Sequence, residues 1–149
     1  MFSLHFVYMT TLRRVRNICL ACGGKPNRAR YKYCSNKCQH EYQYQIFIDR
    51  WKLGTVSGLI KIGIVSHYVK RYLREKFGNK CCLCGWSELN SITGVAPLVA
   101  DHIDGNWRDN SENNLRLICP NCDSLSPTYG ALNKGNGRAG RAKSGRIYS

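Results

Sequence analysis

Residues 81–123 contain Cys81-Cys82-Leu83-Cys84, then Asp101-His102-Ile103-Asp104-Gly105-Asn106, then Asn114-Leu115-Arg116-Leu117-Ile118, and then Cys119-Pro120-Asn121-Cys122-Asp123. Two Cys-x2-Cys pairs thus flank an Asp-His dipeptide. Neighbouring cysteines across a short turn converge their sulfurs on one point. Cys81, Cys84, Cys119 and Cys122 therefore form the ligand set of a closed tetrahedral zinc site. Closed sulfur sites are structural, so this zinc is expected to fix the surrounding chain rather than act on a substrate. Cys82 is one residue out of register and is expected to be a small packed side chain.

Working outward, Pro97-Leu98-Val99-Ala100-Asp101 reads as a strand and Leu115–Ile118 as a second, with a polar loop between them. Cys119-Pro120 opens a helix, with Pro at an early helical position. The expected order is strand, loop, strand, helix. Adjacent strand residues point to opposite faces, so Asp101 and His102 need a local bend to act on one substrate. A carboxylate there suits a hard cation such as Mg2+, and a neutral imidazole can take a proton from water. Taken alone, His102 beside Asp101 reads first as a structural hydrogen bond.

Toward the N-terminus, Cys19, Cys22, Cys34 and Cys38 suit a second structural zinc. Gly23–Asn27 forms a turn after the first pair. Ser35 is placed to cap a helix that carries Cys38 and runs toward Leu53, burying Tyr44, Phe47, Ile48 and Trp51 along one face, with Gly54 ending it. Residues 54–65 read as a linker with a short apolar segment. Ser66 caps a second helix closed by Gly78. Its apolar face holds Val69, Tyr72, Leu73 and Phe77. Lys70, Arg71 and Arg74 on the other face are either solvated or in contact with phosphate. The expected organisation is a weakly ordered start (1–16), a zinc finger with its helix (17–53), the linker, a second domain (66–133) and a basic flexible tail (134–149).

The chain has 149 residues and a formal net charge of +14. Its charge is unevenly placed. Glu88, Asp101, Asp104, Asp109, Glu112 and Asp123 lie between 88 and 123, with Arg108 and Arg116 the only basic residues there; elsewhere only Glu41, Asp49 and Glu75 are acidic. An anionic polymer suits the basic remainder and a divalent cation suits the acidic window. The cysteine spacing favours metal ligation over a secreted disulfide framework, and no convincing secretory signal opens the chain. No apolar run is long enough to span a bilayer. A cytoplasmic setting, in a bacterial or phage-infected cell, is expected, with no membrane partner. Met9 is an alternative start.

The ordered set His102, Asn114 and Asp123, with Cys119 and Cys122 between the last two, resembles the HNH endonucleases of the His-Me finger (ββα-metal) superfamily. The likeness is to the zinc-clamped phage and bacterial type carrying an N-terminal zinc finger. It extends to Ser126-Pro127-Thr128-Tyr129 and Asn133-Lys134-Gly135 and covers about residues 66–138. It implies an α+β fold: a zinc-stapled ββα-metal core, a zinc-ribbon-like N-terminal module and connecting helices. It implies His102 as general base, Asn114 as the residue orienting the His-bearing loop, and Asp101 as ligand of a single catalytic Mg2+ or Mn2+. The third position, usually His or Asn, is Asp123 here. Asp is an acceptable oxygen ligand for those cations, and Asn133 is the fallback.

The implied reaction is phosphodiester hydrolysis leaving 5′-phosphate and 3′-hydroxyl ends, with duplex DNA the expected substrate. Arg108 and Arg116 are candidates for phosphate contact, although Arg116 also reads as a solvated strand residue. Lys70, Arg71, Arg74, Lys134, Arg138 and Arg141 complete the expected nucleic-acid contacts. The first cysteine cluster reads as either a DNA-binding finger or a zinc staple used only for folding or protein contacts. A catalytically silent zinc-finger DNA-binding protein is the alternative.

Overall fold

The computed structural model describes residues 17–61 and 63–135. The expected weak start, Arg138, Arg141 and most of the basic tail lie outside the described residues. The chain divides into two compact units between Gln45 and Ile46. This division falls inside the first helix, α1 (Asn36–Lys52).

In the first unit a tight turn brings the leading cysteines together. Gly23 donates its N–H to the Cys19 carbonyl at 2.9 Å and Cys19 donates to the Gly24 carbonyl at 2.8 Å. Gly23 has φ +70°, which a residue with a side chain adopts only with strain. Ser35 accepts the Cys38 N–H at 3.2 Å and so starts α1 as its cap.

Helix α1 contains no Gly or Pro and buries Tyr44, Ile48 and Trp51 at i, i+4 and i+7. Phe47 is half-buried, its ring 5.1 Å from that of Tyr68. After Lys52 the chain turns at Gly54 (φ +71°), and Thr55 donates back to the Arg50 carbonyl at 2.9 Å.

After α1 the second unit continues with an element that was expected only as an apolar stretch of linker. Strands β1 (Leu59–Lys61) and β2 (Ile64–Val65) pair antiparallel. Ser66 then caps α2 (His67–Lys76), accepting the Val69 N–H at 3.1 Å. Gly78 (φ +60°) and Asn79 (φ +56°) turn the chain out of it. Val69 and Leu73 are fully buried where α2 packs on the second sheet.

That sheet consists of β3 (Val99–His102) and β4 (Leu115–Ile118), antiparallel, with Asp101 opposite Arg116 and His102 opposite Leu115. Strand pairing begins at Val99 rather than Pro97. Proline has no N–H for a ladder, and the Leu98 N–H bends back to the Ala96 carbonyl at 2.8 Å. A short helix, α3 (Pro120–Ser124), follows β4 and packs against β3. The described residues thus form a small mixed helix and strand fold with two two-stranded antiparallel sheets. No described helix is long and apolar enough to cross a membrane.

Candidate functional site

Cys81, Cys84, Cys119 and Cys122 offer four sulfurs that lie within 4.8 Å of one another. Two connections position them. Gly85 donates to the Cys81 carbonyl at 2.9 Å, folding the first pair, and Cys119 Sγ accepts the Cys122 N–H at 3.4 Å, folding the second. A zinc–sulfur bond of about 2.3 Å in a tetrahedron sets an edge of about 3.8 Å between sulfurs. Cys84 and Cys119 stand 3.8 Å apart.

Their acidities diverge as those of crowded thiols must. Burial raises the Cys81 thiol, but N–H groups from Cys84, Cys119 and Leu83 outweigh it and hold it at about 6. Cys122, hydrogen-bonded to Cys84 and Cys119, is pushed up to about 12. A bound dication would remove that conflict. Cys81 and Cys119 pack with Ile118, so the ligands are part of a small core completed by Trp86 and Leu98.

In the first unit Cys19, Cys22 and Cys34 converge within 4.8 Å, with 3.8 Å between Cys22 and Cys34. Cys38 comes within 3.9 Å of Cys22 without joining a set in which all four sulfurs lie mutually that close. Both clusters could bind zinc. Cys82, expected to be packed, is exposed. Its N–H bonds the Leu117 carbonyl at 2.9 Å.

Asp101 sits on β3 and Asp123 on α3. Asp101 Oδ2 accepts from Arg116 Nε at 2.7 Å, the two side chains being 14% and 18% exposed. The Arg116 guanidinium also reaches Ser126 Oγ at 3.4 Å. Asp123, half-buried on α3, makes no side-chain hydrogen bond among the described residues. Burial pushes its carboxyl up, and so does the negative charge of Asp101, while Arg116 opposes them. Among the described residues, no third His, Cys, Asp or Glu joins Asp101 and Asp123 in a converging set of ligands.

The loop between the strands is held by Asn114. Its Nδ2 donates to Asp104 Oδ1 at 2.7 Å and to the Asp109 carbonyl at 2.9 Å, and its Oδ1 accepts the Asp104 N–H at 3.1 Å. The Asn106 N–H and the Asn114 amide, both donating to Asp104 Oδ1, hold that carboxyl below the usual range. Asn133, the fallback ligand, donates instead to the Gly105 carbonyl at 2.7 Å. Gly105 is buried with φ +74°, and a Cβ there would stand 2.6 Å from Asn133 Oδ1 and 2.8 Å from Thr128 Cγ2. Residues 126–133 thus brace the turn that follows His102.

His102 Nε2 lies 2.9 Å from Asn110 Oδ1. Sequence reading did not single out Asn110, although Asn110-Ser111 standing four residues before Asn114 in a polar loop was a signal for a side chain that bonds its own backbone.

Of the basic residues, Arg108 is exposed and lies over the Trp107 ring at 4.8 Å. Arg74 donates to the Ala96 carbonyl at 3.1 Å and to Asn79 Oδ1 at 3.3 Å, tying α2 to the segment before β3. Arg71 pairs with Glu75 one turn on, at 2.7 Å. Lys70 and Lys134 are exposed.

One curated relative, the H-N-H endonuclease F-TflIV of Escherichia phage T5, is 40% identical over 57 residues. That stretch is 38% of this chain and 24% of the phage protein, so the chain spans about a quarter of that relative's length. No protein-family model matches the chain. No solved structure matches it.

Proposed function

We propose that this chain is a metal-dependent DNA endonuclease of the HNH type, hydrolysing phosphodiester bonds with His102 as general base and one divalent cation held by Asp101 and Asp123. The observation that carries this reading is the half-buried Asp123 carboxylate. It has no hydrogen-bond partner among the described residues and faces the charge of Asp101, on a helix that follows a hairpin bearing an Asp-His pair at its turn. Two carboxylates left in that relation suit a hard cation. The partial identity to a phage H-N-H endonuclease supports the same class.

Mg2+ or Mn2+, when bound, supplies Lewis-acid stabilisation of the charge that develops on phosphate. The remaining work falls to the chain. His102 takes the proton of the attacking water. Asn114, through its three hydrogen bonds, keeps the 103–109 loop in shape beneath it. Arg108, exposed over Trp107, is the residue best presented to phosphate, whereas Arg116 must leave Asp101 before it can serve there. In this reading β3, β4 and α3 form the ββα-metal core and the cysteine clusters hold structural zinc, with the finger in the first unit adding a second contact to DNA.

The pairing of Arg116 with Asp101 favours the second reading, a catalytically silent zinc-finger DNA-binding protein, because a guanidinium already neutralises one proposed ligand. Incubation of the chain with long duplex DNA and Mg2+ or Mn2+, followed by mapping of the ends, separates the two. The endonuclease gives 5′-phosphate ends that depend on the cation and vanish in His102→Ala. Metal-independent retention of intact DNA establishes the silent protein.

A further inference from the structure

Asn110 is 7% exposed, and its side chain and carbonyl are both engaged. Its Nδ2 donates to the carbonyls of Trp107, at 3.0 Å, and Arg108, at 3.2 Å. Its own carbonyl accepts from Trp51 Nε1 at 2.7 Å, across 59 positions of sequence. Gly58 lies against this last contact: a Cβ there would stand 2.8 Å from Trp51 Nε1 and 3.3 Å from the Asn110 carbonyl. The loop residue is therefore gripped from the end of α1, in a space where residue 58 leaves no room for a side chain.

The grip determines what His102 meets. Two backbone carbonyls can only accept, so the amide nitrogen of Asn110 must be the atom facing them. Its Oδ1 is then the atom 2.9 Å from His102 Nε2. An amide oxygen cannot donate, so a neutral His102 carries its proton on Nε2 and leaves Nδ1 with the free lone pair.

We propose that Asn110, held by Trp51, is a positioning residue that fixes His102 as its Nε2–H tautomer and so presents Nδ1 to the water it activates. This rests on the endonuclease reading for its catalytic consequence. The tautomer itself does not depend on that reading. Without the anchor both tautomers and several ring orientations become accessible, and the base is correctly set for only a fraction of the time.

The test is long-range proton–nitrogen NMR of the full chain with 15N-labelled histidine, the His102 signal being assigned by its loss in His102→Ala. The parent is expected to show Nε2 protonated and Nδ1 bare. Asn110→Ala should show a mixture of tautomers and lower kcat by about tenfold to a hundredfold, the usual cost of losing a partner that orients a histidine, with KM for duplex DNA changed less than about twofold. Trp51→Phe keeps an aromatic ring at this buried position and removes the donor together with part of the packing volume. It should shift the tautomer and kcat in the same direction by less, and it serves if Asn110→Ala does not fold. A parent His102 protonated on Nδ1, or an Asn110→Ala protein that folds and turns over like the parent, overturns the proposal. A parent with the Nε2–H tautomer that cleaves no DNA with any divalent cation sinks the endonuclease reading alone and supports tautomer control by Asn110.

Discussion

Arg116 Nε lies 2.7 Å from Asp101 Oδ2, and the two residues face each other directly across the β3–β4 ladder. Strand register alone sets this pair, since directly opposed side chains share one face of the hairpin. It also neutralises one of the two carboxylates proposed to hold the catalytic cation.

Arg116→Met should therefore weaken the fold and strengthen the cation site together. Removing one partner of a largely desolvated pair costs about 1–3 kcal/mol, less than a fully buried pair would lose. Mn2+ should restore the loss by binding between Asp101 and Asp123. Thermal unfolding with and without Mn2+ measures both effects: the Mn2+-dependent rise in Tm should be larger in the variant than in the parent. Equal rises in the two proteins would show that Arg116 and the cation do not compete.

Asp123→Asn should raise stability in a chelated buffer at neutral pH by about 1 kcal/mol or less, because a half-buried charge facing Asp101 is removed. It should also blunt the response to divalent cations. Asn still offers an oxygen, so weak cleavage should persist, whereas Asp123→Ala should cleave no DNA. Parent-like cleavage by Asp123→Ala would place the second ligand elsewhere.

Glu112 offers a pH-dependent stability that is separate from the metal sites. Lys76, at 2.8 Å, and the Tyr72 hydroxyl hold its carboxyl below the usual range. A carboxyl lowered by folding contributes stability that is fully present above its unfolded pKa and lost as pH falls through the folded one. The Lys76 and Glu112 side chains remain 37% and 27% exposed, so solvent screens the pair. Glu112→Gln should cost about 0.5–1 kcal/mol at pH 7 and nothing near pH 2. Urea denaturation at the two pH values checks this, and an equal loss at both would assign the effect to packing.

Gly105→Ala should be among the most damaging single-methyl changes in the chain. The new Cβ would meet Asn133 and Thr128 at under 3 Å, on a backbone at φ +74°. Strain of this kind costs about 1–3 kcal/mol. Circular dichroism melting measures the loss, and a melting curve like the parent's would show that residues 126–133 do not close over the turn.

Cys119→Ala should lose one equivalent of bound zinc while the first unit keeps its own, and Cys22→Ala should do the reverse. Metal analysis after gel filtration reads the stoichiometry. Cys38→Ala decides whether the first cluster uses four thiolates or three. Retention of full zinc in Cys119→Ala would remove that residue from the ligand set.

Features fixed by short spacings were legible in the sequence. The Cys-x2-Cys pairs, the caps at Ser35 and Ser66, strand β4 and the proline that opens α3 each depend on neighbours within one turn of chain. Asn114 was assigned a loop role from resemblance alone; the bonds it makes to Asp104 and Asp109 could not be read from spacing. What escaped the sequence depends on distant partners. Nothing in the order of residues tells that Trp51 will meet Asn110, that Arg116 will turn onto Asp101, or that Arg74 will spend its donors on Ala96 and Asn79. The β1–β2 hairpin escaped for another reason: strands of three and two residues are too short to show alternation.

Cys119 has two duties. Its sulfur is one of the quartet that could bind zinc, and the same sulfur caps α3 by accepting the Cys122 N–H. The exposed Cys84 sulfur is 3.8 Å away, within reach of a dissolved oxidant. A sulfur drawn into a disulfide can no longer serve as a thiolate ligand, and it becomes a poorer acceptor for the turn it caps. Oxidative stress would therefore reach Asp123 through the helix that carries it. Handling in air without a thiol reductant should leave a chain of intact sequence whose α3 has lost its start.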